Sequence, residues 1–208
     1  MTSTTRSRRR RGTAAVLSLG AVLATTAATA PTAAPARTVH AAPAAKAAAS
    51  CPQFDDKLRA AADRRADLDR ITPKPAWRTT CGTLWRSDNR DPETVFEEGF
   101  QPKDVINGQY DIEKYVLVNQ PSPYVSTTYD HDLFKAWKSK YNYYVDAPGG
   151  IDVNKTIGSA HKYADQVEVA FPGGIARQYI VGACPVDKET KTEILSGCES
   201  NPFYAPWH

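Results

Sequence analysis

Alternating apolar and polar positions predict a series of short strands over most of the chain beyond residue 80. Stretches such as YVSTT and YNYYVDA combine aromatic with β-branched residues, which favour the pleated, half-buried surface of a strand. Two PGG stretches, at 148–150 and 172–174, mark turns between such runs. The predicted strands cover residues 82–88, 123–128, 141–147, 165–171, 177–186 and about 190–196.

Helical spacing of apolar residues is clearest in the stretch FDDKLRAAADRRADLDR. Phe54, Leu58 and Leu68 fall on one face of a helix, and charged residues lie between them. Pro73 follows closely and cannot continue a helix. The pattern predicts an amphipathic N-terminal helix over residues 54–70.

Three further segments have helix signals. One helix begins at Pro92, because proline suits the first helical position and acidic residues follow it, and it ends at Gly99. A short helix is predicted near 111–116, and another over 130–140 begins at the capping residue Asp130. Helices and strands do not alternate regularly, which predicts the α+β class.

Residues 1–41 have the composition of a secretory signal peptide. A cluster of arginines precedes an apolar run that is too short and too rich in Ala and Thr to span a membrane. Of two candidate cleavage points, after Ala30 and after Ala41, the second fits better. The Ala/Pro-rich residues 42–50 are predicted to be a disordered lead-in, which leaves 51–208 as one secreted domain.

Removal of this leader reverses the sign of the net charge. The whole chain has 26 basic and 23 acidic residues, a net charge of +3. Six of the arginines lie within 1–41, which leaves 20 basic against 23 acidic residues and a net charge of about −3. No overall positive field would then hold the domain on a polyanion, so any binding of nucleic acid must depend on local geometry.

All four cysteines lie in the part predicted to be exported, where disulfides form. Of the three possible pairings we favour Cys51–Cys81 and Cys184–Cys198, because each joins neighbours along the sequence. The spacings match no zinc pattern, so we expect no metal ion.

Three short stretches with polar residues follow one another along the chain in an order that indicates a shared site. Arg86 ends a predicted strand in LWRSDNRDPETVFEEGF, Ser126 begins the hydroxyl run of YVSTT, and Gln166 and Glu168 stand two apart in DQVEV, on the same side of a predicted strand. This order resembles the Arg, Ser-Thr-Ser and Gln/Glu-x-Glu signature of cholera-toxin-like mono-ADP-ribosyltransferases. Over roughly residues 80–187 it is most similar to the pierisin-like, secreted bacterial branch that modifies guanine in DNA.

The resemblance implies an α+β catalytic domain with two packed, mostly antiparallel β-sheets, the N-terminal helix and flanking helices. It implies NAD⁺ as co-substrate and no metal. Arg86 would clamp a phosphate through its planar fork of donors. Ser126 would orient Glu168, whose carboxylate would accept a hydrogen bond from the ribose 2′-hydroxyl and offset positive charge at the ribose carbon. Taken singly, Arg86 is better explained as a strand-end arginine in a surface ion pair with Asp88, and the other two motifs reverse this preference.

Further cofactor contacts are implied for Thr127 and Thr128, which would hold the strand against the nicotinamide pocket, and for Arg90 and Asn119. Thr128 departs from the serine that is usual in the family at the third hydroxyl position. Because a hydroxyl remains there, the departure affects only fine positioning.

The acceptor would meet a second group of residues. Gln166 offers an amide donor and acceptor that match the edge of a base, and Tyr163 could stack on that base. Trp137 and Lys138 could meet a phosphate backbone, although a packed tryptophan and a solvated lysine explain them equally well. His131 has no partner in sequence and is given no role.

The leading hypothesis is therefore a secreted, monomeric enzyme, without a membrane partner, that transfers ADP-ribose from NAD⁺ to the N2 amine of guanine in DNA or a guanine nucleotide. One alternative changes the acceptor to a protein side chain such as Asn, or to water, which would make the enzyme an NAD glycohydrolase. Another alternative is a secreted binding module without enzymatic activity, which predicts no turnover of NAD⁺.

Overall fold

The computed structural model of the chain describes residues 51–208. The predicted signal peptide and lead-in lie outside the described residues and stay predictions. Within 51–208, eight strands, three α-helices and several 3₁₀ turns form the α+β architecture that the sequence predicts.

The predicted helix over 54–70 is wrong. This segment forms turns and a single turn of 3₁₀-helix, Leu68–Arg70. Aspartate side chains accept hydrogen bonds from nearby backbone amides, as Asp56 does from Leu58 and Asp63 from Arg65, and so compete with helical hydrogen bonding. The segment instead bonds to a distant turn, where the Asp63 amide donates to the Gly173 carbonyl at 2.8 Å.

The strands pair antiparallel in one continuous order, β4-β5-β2-β1-β3-β6-β7, and β8 pairs with β6 on the edge opposite β3. Their bounds are β1 Leu84–Asp88, β2 Tyr124–Thr128, β3 Tyr141–Val145, β4 Ile151–Asp152, β5 Glu168–Pro172, β6 Ile180–Asp187, β7 Thr192–Glu193 and β8 Glu199–Ser200. Each predicted strand is present, and most are shorter at one or both ends than the sequence predicts.

The expectation of two separate sheets needs an amendment, because the two halves of the sheet are joined. The join between β1 and β2 is a single pair, Trp85 opposite Thr128. In contrast, β1 pairs with β3, and β2 with β5, along their whole length. The sheet therefore opens immediately beyond Trp85, between the strands that carry Arg86 and Ser126.

Three α-helices flank the sheet: α1 Pro92–Glu98, α2 Ile112–Val118 and α3 Val153–Ile157. The helix predicted from Pro92 to Gly99 is confirmed, and α2 occupies the segment predicted near 111–116. Residues 130–140 form a shorter 3₁₀-helix, His131–Ala136, capped by Asp130 as predicted. It ends because the backbone at Trp137 is extended and leads into β3. Among the described residues no helix is long and apolar enough to cross a membrane.

Two buried clusters hold these elements in place. The first packs α1 against side chains from both halves of the sheet, including β2 and β5, around the fully buried rings of Phe100 and Tyr143. The second packs α2 and α3 against β2, β4 and β5, with Ile112 and Val153 at its centre. Burial of each such side chain contributes about 1.5–3 kcal/mol. The second cluster fixes α2, which contributes one wall of the cleft described below.

Both favoured disulfides are present, Cys51–Cys81 and Cys184–Cys198. The first ties the start of the described chain to the segment that enters β1. The second joins β6 to the residue before β8, and so closes the loop that carries β7. These pairings confirm the sequence prediction.

Gly174 should be intolerant of any side chain. Its φ is +77°, and a Cβ would lie 2.1 Å from the Phe100 carbonyl oxygen, where Phe100 and Ile175 exchange two backbone hydrogen bonds. We expect Gly174→Ala to lower the free energy of unfolding by about 2–4 kcal/mol, measured by urea denaturation. Gly149→Ala is the control, because Gly149 has a similar φ of +74° but no atom near its Cβ position. Its loss should be about 1 kcal/mol. Equal losses would show that the close contact is not what requires glycine.

Candidate active site

A cleft of about 340 Å³ lies where the sheet opens. Its walls come from β1, β2, α2, the 3₁₀-helix His131–Ala136 and the segment before β5, so residues far apart in sequence meet there. The cleft is lined by Trp85, Arg86, Ser87, Tyr115, Val116, Asn119, Ser126, Thr127, Thr128, Leu133, Phe134, Trp137, Asn142, Tyr163, Gln166 and Glu168. The three predicted motifs therefore converge.

Arg86 presents a fixed cation to the cleft. Its Nη1 donates to the Ser126 carbonyl at 2.7 Å, and its Nε and Nη2 lie 3.1 and 3.0 Å from Asp88 Oδ2. The guanidinium also lies over the Phe100 ring, 5.1 Å from its centroid. The side chain remains 24% exposed. The ion pair with Asp88 thus exists, and it holds the guanidinium at the cleft rather than away from it.

Asp88 is shared between two arginines. Its Oδ1 and Oδ2 also accept from Arg90 Nε and Nη2, at 3.0 and 2.7 Å. Burial alone would raise the pKa of Asp88, but the hydrogen bonds from Arg90 and the charge of Arg86 outweigh it and hold this pKa well below its usual range. Arg90 is not among the residues that line the cleft. Its predicted contact with the cofactor stays a prediction, and its clear role is to fix Asp88.

Glu168 is the buried carboxylate of the cleft. It is only 9% exposed, and its Oε1 accepts a hydrogen bond from the Tyr115 hydroxyl at 2.8 Å. Burial raises the pKa of Glu168, while the Tyr115 and Ser126 hydroxyls and the charge of Arg86 act in the opposite direction. Burial and the charge of Glu168 raise the pKa of Tyr115 well above its usual value, so this phenol stays a hydrogen-bond donor.

The hydroxyl run of β2 connects these groups. Ser126 lies between Arg86, which bonds to its carbonyl, and Glu168, which its hydroxyl stabilises. Thr127 Oγ1 donates to the Val169 carbonyl at 2.9 Å. Thr128 Oγ1 donates to the Gln166 carbonyl at 2.7 Å and accepts from the Asp130 amide at 2.9 Å. Thr128 thereby links the start of the 3₁₀-helix His131–Ala136 to the turn that precedes β5.

Gln166 lies in a 3₁₀ turn, Ala164–Gln166, and not on the strand with Glu168, so the expectation that both side chains point from one strand is wrong. Val167 separates them with a left-handed backbone, φ 39° and ψ 52°. A β-branched residue in this region is strained, and such strain concentrates at functional sites. Gln166 nevertheless lines the cleft. Within residues 51–208 its side-chain amide makes no hydrogen bond.

The remaining predicted residues divide into two groups. Tyr163 and Asn119 line the cleft, as does Trp137, whose ring is 51% exposed. Asn119 caps the end of α2 in the left-handed conformation, and its backbone amide donates to the Tyr115 carbonyl. Lys138 is exposed but is not a lining residue, so its contact with an acceptor stays a prediction.

Several residues that line the cleft, above all Tyr115, are not predicted from the sequence. This residue follows Ile112 at helical spacing and precedes Val116, a pattern that indicates a core-facing helix surface. No local signal pairs it with a glutamate far along the chain. Trp85 and Asn142 were missed for the same reason. The described residues contain no cluster of His, Cys, Asp or Glu side chains that could hold a metal ion.

Known proteins resemble this chain over most of the described residues. The Scabin-like family model matches residues 84–204. A guanine-specific ADP-ribosyl transferase of Streptomyces coelicolor is 77% identical over 164 residues, which cover 78% of this chain and 80% of that protein. Pierisin of Pieris brassicae is 38% identical over 113 residues, 48% of this chain but only 13% of that much longer protein.

A solved structure of similar fold carries a bound dinucleotide. The structure of the Scabin toxin from Streptomyces scabies in complex with NADH is 71% identical to this chain, with a TM-score of 0.77. The match covers 79% of this chain and 100% of that one. The resemblance inferred from Arg86, Ser126, Gln166 and Glu168 is thereby confirmed, and the chain belongs to the Scabin-like family.

Proposed function

We propose that this protein is an NAD⁺-dependent mono-ADP-ribosyltransferase that modifies guanine. The observation that carries the proposal is the convergence of Arg86, Ser126 and Glu168 on one cleft, with Gln166 at its edge. The relatives named as guanine-specific, and the relative solved with NADH, support the same assignment.

The first task of such an enzyme is to hold NAD⁺. The pyrophosphate is a bidentate anion, and the planar, partly exposed guanidinium of Arg86 is suited to it. Because Asp88 and the Ser126 carbonyl already fix this guanidinium, little side-chain freedom is lost on binding. The volume of the cleft, about 340 Å³, lies in the range of ligand pockets and suits the nicotinamide riboside end of the substrate.

The second task is to stabilise positive charge. Nicotinamide leaves with the electron pair of the bond that joined it to the ribose carbon, which leaves that carbon oxocarbenium-like. The Glu168 carboxylate lies in a buried environment, where its interaction with this charge is stronger than in water. Tyr115 orients the carboxylate through its hydrogen bond to Oε1, and the Ser126 hydroxyl lowers the pKa of Glu168 and so favours its charged form. The guanine amine then forms a bond to the same carbon and releases a proton.

The acceptor is proposed to be the N2 amine of guanine, in DNA or in a guanine nucleotide. Gln166 has a side-chain amide without a partner among the described residues, and it can pair with the edge of a base. Tyr163 and the exposed ring of Trp137 offer stacking surfaces beside it. With a net charge of about −3 after the leader, the domain should bind DNA weakly and mainly at the cleft. We further propose that the enzyme is secreted and monomeric, with no membrane partner.

Replacement of the buried carboxylate tests the catalytic assignment. Glu168→Ala should lower the rate of nicotinamide release by about a thousandfold, because the charge on the ribose carbon is no longer offset. The fold should be retained, as judged by circular dichroism. The matched control is Glu113→Ala on the exposed face of α2, which should keep the wild-type rate. A Glu168→Ala rate close to that of the control contradicts the mechanism.

The side chain of Gln166 should separate acceptor transfer from cleavage of NAD⁺. Gln166→Ala should reduce ADP-ribosylation of guanosine by about a hundredfold while nicotinamide release falls by no more than about threefold, since only the acceptor loses its hydrogen bonds. Both products are measured by chromatography of one reaction. If the two rates fall in parallel, Gln166 serves NAD⁺ rather than the acceptor.

Tyr115 should set the pH below which activity is lost. Its hydroxyl donates to the charged form of Glu168 and so lowers the pKa of that carboxyl. Tyr115→Phe removes this hydrogen bond, so the pKa of Glu168 should rise and the acid limb of the kcat/KM profile for NAD⁺ cleavage should move to higher pH. Tyr141→Phe, which removes a hydroxyl bonded to Asp91 outside the cleft, is the control. An acid limb that stays in place in Tyr115→Phe refutes the role of this hydroxyl.

A further inference from the structure

A closed polar cluster lies behind one wall of the cleft. Its centre is Glu193, on the two-residue strand β7, whose side chain is only 7% exposed. The carboxylate accepts from Asn142 Nδ2 at 2.8 Å and from the Tyr144 hydroxyl at 2.7 Å. The His131 Nε2 lies 3.3 Å from the same carboxylate. A buried carboxylate with this many partners is held in a single orientation.

The backbone around Glu193 is itself constrained. β7 pairs with the end of β6, Glu193 opposite Val186, and the disulfide Cys184–Cys198 closes the loop that carries it. Cys184 lies opposite Asn142 in the register of β3 and β6. The loop is therefore anchored beside the residue to which Glu193 bonds.

Two members of the cluster connect it to the cleft. Asn142 is 1% exposed and lines the cleft directly. His131 is the first residue of the 3₁₀-helix His131–Ala136, which places Leu133 and Phe134 in the cleft wall and leads into Trp137. Movement of the Asn142 or His131 side chain would therefore displace residues that line the cleft.

His131 packs against three aromatic rings, and 40% of its side chain remains exposed. Its ring centroid lies 5.3 Å from that of Trp85, 5.6 Å from Phe134 and 5.9 Å from Tyr144. Its Nδ1 lies 3.2 Å from Asp132, which in turn pairs with Lys135. The imidazole thus joins the start of the 3₁₀-helix to Glu193 and to two rings that line the cleft.

We propose that Glu193 is a positioning residue for one wall of the cleft, which it fixes through Asn142 and His131. This wall consists of Asn142, the 3₁₀-helix His131–Ala136 and Trp137, and we call it the acceptor wall because Trp137 is proposed to meet the acceptor. None of its hydrogen bonds reaches Arg86, Ser126 or Glu168, so it acts on the wall that carries Trp137 and not on the groups assigned to NAD⁺. This inference rests on the proposed function, because the wall matters only if an acceptor binds there. His131, which has no partner in sequence, gains a role in this network.

The kinetic test is Glu193→Gln. The amide keeps the shape but replaces one carboxylate oxygen with an NH₂ group, so Asn142 Nδ2 and the Tyr144 hydroxyl can no longer both donate to this side chain. The KM for guanosine should rise about tenfold, while kcat and KM for NAD⁺ cleavage without acceptor stay within about twofold. Glu193→Asp, which keeps the charge, should recover part of the loss. The control is Glu189→Gln, on the exposed turn between β6 and β7, which should match the wild type.

Amide hydrogen exchange gives a readout that needs no acceptor. The backbone amides of Leu133 and Trp137, which bond within the 3₁₀-helix, should exchange about tenfold faster in Glu193→Gln than in Glu189→Gln. If Glu193→Gln matches Glu189→Gln in exchange and in the KM for guanosine, the positioning role is overturned. If the wild type cleaves NAD⁺ but does not modify guanosine, the proposed acceptor fails, and the exchange rates still decide whether Glu193 fixes this wall.

Discussion

The structure depends on the place where β1 parts from β2. Beyond the single pair Trp85–Thr128 the strands separate, and the Arg86 guanidinium bonds to the Ser126 carbonyl at 2.7 Å across the gap. Asp88 holds the other side of the guanidinium. A charged side chain thus satisfies a carbonyl at the opening of the sheet, and the gap becomes a cleft with a cation in its wall. A guanidinium can bridge the strands and bind an anion at the same time, because its five N–H donors form a planar fork and it stays charged.

A buried carboxylate is the second requirement of the site, and burial alone would favour its protonation. The arrangement around Glu168 offsets this cost through the Tyr115 hydroxyl, Ser126 and the charge of Arg86. The strained backbone of Val167 brings Gln166 to the edge of the same cleft. The result is a carboxylate that is both desolvated and oriented, with the amide that we propose for binding the acceptor close by, as transfer between two bound substrates requires.

One helix, the strand that carries the hydroxyl run and both disulfides could be predicted from the sequence, because each depends on residues that lie close together in the chain. Pro92 and Gly99 bound a helix, the hydroxyl run lies on a strand, and the two disulfides join neighbouring cysteines. The predicted helix over 54–70 was wrong because aspartates such as Asp56 bond to their own backbone. Contacts between distant residues left no pattern in sequence: Tyr115 looks like a core residue until β5 brings Glu168 to its hydroxyl. The network of Glu193 is hidden for the same reason.

We propose that this cleft transfers ADP-ribose from NAD⁺ to guanine. The decisive measurement of this transfer is mass spectrometry of nucleosides from DNA treated with the mature domain and NAD⁺. We expect an ADP-ribosyl adduct on deoxyguanosine alone, attached through the N2 amine and formed in step with nicotinamide release. Release of nicotinamide without any nucleoside adduct, with ADP-ribose found only on protein or free in solution, would contradict it.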